Sequence, residues 1–165
     1  MASVHDVAAY ILSKKSPITA LKLQKLVYYS QAWSLVWDQD ELFPEEFLAF
    51  ANGPVVYELW NQYRSQFNIL NSTCGSPEML TPVQRETIDV ILDSYGNLSA
   101  SQLSLLTHSE DPWKIARNGI ADLEPSSEVI TKTSMAEYYS QVQNSRAATG
   151  IDEVNWPSDT LSIEE

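Results

Sequence analysis

The sequence predicts a mainly α-helical fold, a compact bundle of about six to seven helices around one central buried helix. Three observations predict it. First, Thr19–Trp37 is strongly apolar, and its only charges, Lys22 and Lys25, stand near its start. Leu23, Leu26, Val27, Ser30, Trp33 and Trp37 make one helical stripe, and Leu21, Tyr28, Ala32 and Leu35 make a second. A helix apolar on both stripes is enclosed by other elements. Second, helix-start signals recur at Thr81-Pro82-Val83-Gln84 and Ser99-Ala100-Ser101-Gln102, where a hydroxyl and an amide satisfy each other's free backbone N–H groups. Third, no run of strict apolar–polar alternation is long enough for a sheet that stands alone.

In order, Ser3 caps a first helix through Val4, Val7, Ala8, Ile11 and Leu12, ending at Lys14 and Lys15, where cations suit the negative helix end. A short link, Ser16-Pro17-Ile18, sets it beside the central helix, which Thr19 caps. Asp38–Glu41 is a charged turn. Over 42–51 the aromatic runs Leu42-Phe43 and Phe47–Ala51 predict a small β-hairpin or extended pieces. Pro54, after Asn52-Gly53, is placed at the first position of a third helix bearing Val55, Val56, Leu59, Trp60 and Tyr63 and ending near Gln66. Asn68–Leu80 reads as a surface loop. Two helices start from the boxes named above, the first closed by Gly96. A short helix opens at Pro112-Trp113, an extended piece is expected at Val129-Ile130, and a last helix runs from Ser134 to about Gln143. The expected division is a helical domain over 1–144 and an acidic tail over 145–165, which lacks helical periodicity and is expected to be disordered when free.

Composition limits the function classes. A chain of 165 residues that is 44% hydrophobic fits one domain with a sizeable core. The uncharged part of the central helix, Leu26–Trp37, is much shorter than the roughly 20 residues that cross a bilayer. No basic segment followed by an apolar run opens the chain, and the single Cys74 makes no internal disulfide; both suit the cytoplasm. A net charge of −12 repels nucleic acid and anionic lipid and favours basic proteins, or simply keeps the chain soluble.

The residues offer little for catalysis. His5 and His108 lie on different elements, Cys74 has no neighbouring base, and no metal-binding, phosphate-binding or nucleophile-elbow motif occurs. His108-Ser109-Glu110-Asp111 is the one cluster that could hold a metal or a general base. Such a polar break before Pro-Trp more commonly fixes a turn between helices. The expectation is no catalytic residue, no metal and no cofactor. Five Trp and eight Tyr, by contrast, exceed what a small helical core needs. Trp33, Trp37, Trp60 and Trp113 sit on apolar faces and are expected in the core. Tyr28, Tyr29, Tyr57 and Tyr63 are the surface candidates for a partner interface, together with Lys25. Trp156, in the acidic tail, either docks back on the domain or anchors a partner by folding on binding.

Ile18-Thr19, Leu23-Gln24-Lys25-Leu26 and Tyr28-Tyr29-Ser30-Gln31-Ala32-Trp33 together resemble the signature of the Panacea-domain antitoxin family, which includes the SocA-type proteolytic adaptor. So do Leu42-Phe43, Phe47–Phe50, Asn52-Gly53-Pro54-Val55-Val56 and Leu106-Thr107-His108 with Asp111-Pro112-Trp113-Lys114. The likeness runs from about Val4 to Tyr139; Phe50 stands where the family commonly has tryptophan, and the loop around Cys74 and the tail lie outside it. Within the shared pattern Leu23, Leu26, Trp33, Gly53, Pro54, Val55, Trp60, His108, Pro112 and Trp113 are expected to be structural. The resemblance implies a helical domain of bacteria, phages and mobile elements, the antitoxin half of a two-gene toxin–antitoxin pair. Its implied partner is a cognate protein toxin from a neighbouring gene, in a homodimer or a heterotetramer with toxin, with a protease as a further partner in adaptor members. No nucleic-acid or membrane partner is expected. Binding a host defence factor is the alternative for a phage or mobile-element protein.

Overall fold

The computed structural model describes residues 1–149. The elements in order are α1 (Val4–Lys15), β1 (Ile18–Thr19), α2 (Ala20–Trp37), β2 (Phe47–Phe50), β3 (Gly53–Val56), α3 (Tyr57–Tyr63), β4 (Asn68–Ile69), a 3-10 turn (Pro77–Met79), α4 (Pro82–Tyr95), α5 (Ala100–His108), α6 (Asp111–Arg117), β5 (Val129–Ile130) and α7 (Lys132–Thr149). Helix α2 is the central post. Every residue from Leu23 to Ser34 is buried, and α1, α3, α4, α5 and α7 all pack on it. The reason is its two apolar stripes, which leave no face for water. The Thr19 hydroxyl accepts from the Lys22 N–H at 3.1 Å, as a cap must.

Start signals elsewhere hold. The Ser3–Asp6, Thr81–Gln84 and Ser99–Gln102 boxes open α1, α4 and α5. Several boundaries differ from expectation. Gly53-Pro54-Val55-Val56 forms strand β3, so the expected third helix begins at Tyr57, and Pro54 occupies a strand edge rather than a helix start. Tertiary pairing overrides the local proline signal here: β3 joins β2 in a hairpin with the register Phe47↔Val56 to Phe50↔Gly53, and β5 adds on the other side of β2. Gly53, at φ +113°, turns the chain where a side chain would meet Lys25 Cε at 2.5 Å. The loop expected over 68–80 contains β4, which pairs antiparallel with β1, and the 3-10 turn. Helix α7 begins before Ser134 and continues past Gln143 to Thr149.

Candidate functional site

The signature residues of the sequence meet around the β2–β3 hairpin. Strand β3 has an open edge, and buried backbone polar groups there need partners. Helix α2 supplies them with side chains. The Gln24 amide bridges Val56 twice, accepting from its N–H at 2.9 Å and donating to its carbonyl at 3.2 Å. Lys25 Nζ donates to the Pro54 carbonyl at 3.0 Å. Two turns further along the same helix, Gln31 repeats the clamp, accepting from the Leu42 N–H at 2.6 Å and donating to the Phe43 carbonyl at 2.9 Å.

The rest of the hairpin is held from α5 and α6. Ser104 Oγ donates to the Asn52 carbonyl at 2.8 Å, Trp113 Nε1 to the Phe50 carbonyl at 2.8 Å, and Arg117 Nη1 to the Ala49 carbonyl at 2.8 Å. His108 hydrogen-bonds the Ala51 backbone and stacks on Trp113, ring centres 4.0 Å apart. Burial pushes its pKa down, which favours the neutral ring. Arg117 is buried over the Trp113 ring, 4.8 Å from its centre. Its second Nη donates to the carbonyls of Ala121, at 2.6 Å, and Glu124, so one guanidinium ties the hairpin to the loop before β5.

A second buried network joins α2, α6 and α7. Glu110 accepts from the Tyr29 and Tyr139 hydroxyls, both at 2.7 Å, and the Tyr28 hydroxyl lies 3.2 Å from that of Tyr139. Tyr139 has one proton and its nearer acceptor is the carboxylate, so Tyr28 supplies the proton between the two phenols. Burial first, then the Glu110 charge, holds all three phenol pKa values well above the ordinary value. Glu110 also stands at the start of α6. The polar cluster His108–Asp111 therefore fixes a helix junction, and no group of three or more metal-ligating side chains occurs among the described residues. Sequence reasoning gave Arg117 no role; for the cluster holding Glu110 it preferred a turn between helices over a metal ligand or base, but did not foresee the tyrosine hydroxyls that Glu110 accepts from.

The partner-binding candidates separate sharply. Lys25, Tyr28, Tyr29 and Tyr63 are buried, which corrects the expectation of surface positions: the cap on β3, the Glu110 network and the packing of α3 on α2 enclose them. Tyr57 is 48% exposed. Trp60 and Trp37, expected in the core, are 39% and 38% exposed. Among the expected scaffold residues, Leu23, Leu26, Trp33, Val55, Pro112 and Trp113 are buried, and Gly53 and Pro54 form the clamped hairpin. Trp156 lies outside the described residues.

What remains open is a groove of about 740 Å³ beside the hairpin. Its floor is Leu23, Val55, Leu59 and Ile69, all buried, and its walls include Ala51, Asn52, Trp60, Arg64 and the 125–127 loop. On the α3 side Trp60 and Arg64 wall the groove; Tyr57, one turn before Trp60 and outside the lining, stacks on it at 5.7 Å, and the Arg64 guanidinium lies 5.4 Å from the Trp60 ring centre.

The signature residues of this helical scaffold hold one hairpin beside a groove whose walls include Trp60 and Arg64. The family model described as antitoxin SocA-like, Panacea domain, matches residues 23–114, and the chain belongs to that family. The matched span runs from α2 into α6 and contains Gln24, Lys25, Ser104, His108 and Trp113 of the hairpin clamp, while Arg117 lies just beyond it. Membership points to a toxin–antitoxin or adaptor role and to a protein partner such as a toxin or a protease; the family is not a known enzyme family. No curated protein and no solved structure gave a match. No helix among the described residues is long and apolar enough to cross a membrane.

Proposed function

We propose that this protein is an antitoxin that neutralises a cognate protein toxin, the product of a neighbouring gene, by binding it directly. Family membership carries the reading. The geometry supports it through the arrangement of α3. A firmly clamped hairpin borders a groove walled by Trp60 and Arg64, with Tyr57 stacked on the Trp60 ring beside it, and Tyr, Trp and Arg are the residue types that dominate interface energetics. The partner-binding residues on this reading are Tyr57 and Trp60, with Arg64; Lys25, Tyr28, Tyr29 and Tyr63 act from beneath as scaffold. The His108 ring stacked on Trp113 and the Glu110 carboxylate engaged by two tyrosine hydroxyls favour a structural role for this cluster over a catalytic one.

Co-expression of the neighbouring gene with and without this one is the test. The neighbour is expected to arrest growth alone and to be harmless when the two are produced together, with a co-purifying complex. A neighbour harmless on its own, or toxic despite this protein, would overturn the reading. Delivery to a protease, the adaptor mode of the family's namesake, predicts instead that the toxin disappears during protection and persists in a protease-deficient host.

A further inference from the structure

The groove carries a chemical preference that family membership does not assign. Its floor is apolar, and Arg64 is the one charged side chain among its lining residues. Arg64 is exposed, and its side-chain contacts are the Asn61 amide oxygen at 3.2 Å and the Trp60 ring. Both orient the guanidinium; neither neutralises it. A planar fork held over an aromatic ring at the edge of an apolar trough is suited to receive a carboxylate in two-point contact. The lining follows α3 and the turn beyond it from Leu59 through Trp60 and Tyr63 to Gln66, a length that suits an elongated protein segment better than a compact small molecule.

Building on the protein-binding reading above, we infer that the groove receives an amphipathic helical segment of the partner that places apolar side chains on Leu23, Val55 and Leu59 and a carboxylate against Arg64. The sign of the charge is the discriminating point. The chain as a whole carries −12 and draws basic partners, yet the groove selects an acidic residue within the segment that enters it. The long-range field assists encounter with a basic surface; the local guanidinium fixes register once the apolar face is seated.

The test uses the full chain and phage-displayed random peptides of about 16 residues, roughly four helical turns. Selected peptides are expected to share apolar residues at helical spacing with an Asp or Glu at one fixed position. Arg64→Glu should weaken them roughly tenfold or more and, on reselection, replace the acid with Lys or Arg. Ser127→Trp, an exposed loop position at the groove, should block binding without touching the core. Circular dichroism of both variants is expected to match that of the parent chain, which keeps a folding defect apart from a binding defect. Absence of a consensus, a consensus with a base in place of the acid, or binding indifferent to both variants would overturn the inference. Parallel co-expression separates it from the antitoxin reading. If the neighbouring toxin is still neutralised by both variants, the groove inference falls and the antitoxin stands. If acidic peptides bind in the groove while the neighbour goes unneutralised, the groove inference stands and the antitoxin reading falls.

Discussion

At the scale of single residues, the buried Lys25, Gln24, Gln31 and Glu110 each meet a backbone or side-chain partner, whereas Ser30 Oγ and His108 Nε2 are buried without one among the described residues. Lys25 is the sharpest case. Full burial pushes its ammonium down to about 7, from an ordinary value near 10.5. Because the folded value is depressed, the unfolded chain binds the extra proton between those limits. Stability should therefore rise with pH from about 7 towards 10.5, by on the order of 1 kcal/mol per unit at most. Urea midpoints measured at pH 7 and pH 9 should show that rise, and Lys25→Met should flatten it. Removing Glu110 acts differently. Glu110→Leu would strand the Tyr29 and Tyr139 hydroxyls in the core and should cost about 2–4 kcal/mol by chemical denaturation. Glu110→Gln keeps an acceptor oxygen and should lose less.

At the scale of elements, helix α2 works as a scaffold with two amide clamps. Gln24 and Gln31 lie seven residues apart on one helix face, and each closes on a backbone N–H and a carbonyl of the chain that crosses it. Gln31→Met keeps the volume but leaves two backbone groups in the core unmet, so about 2–4 kcal/mol should be lost. The same logic governs Arg117. Arg117→Lys keeps the charge but cannot reach the Ala49, Ala121 and Glu124 carbonyls together, and the loop over 121–124 should exchange its amide hydrogens faster. Gly53→Ala should be among the most damaging of small substitutions. Its Cβ would stand 2.5 Å from Lys25 Cε and 2.8 Å from Thr107 Oγ1, in a backbone conformation that side chains disfavour. A large fall in thermal midpoint is the expected reading.

At the scale of the whole molecule, α1, α3, α4, α5 and α7 enclose α2, while the Tyr57 and Trp60 side of α3 is left exposed. Removal of residues 150–165 is proposed to leave the thermal midpoint unchanged, because the described core is closed without them. If that truncation also leaves partner affinity intact, Trp156 is not an anchor. Helix positions were legible because periodicity and capping boxes are local: α1, α2, α4 and α5 begin where their cap residues stand. The site was only half legible. The motif residues stood out in the chain, but Tyr28 and Tyr29 looked like interface residues. Nothing local distinguishes a tyrosine whose hydroxyl reaches water from one whose hydroxyl reaches a carboxylate 81 residues away, as in the Tyr29–Glu110 pair.

The sequence by itself therefore determined the helical class, the buried central post and the starts of α1, α2, α4 and α5, since each rests on residues within a few turns of one another, and it carried the family through motifs spread along the chain. Tertiary structure alone decided that Pro54 belongs to a strand, that Lys25 faces a carbonyl, and that Trp60 rather than Tyr28 meets the solvent. Those outcomes depend on which distant backbone groups need a partner and which helix face is left uncovered, and both are settled only when the elements pack.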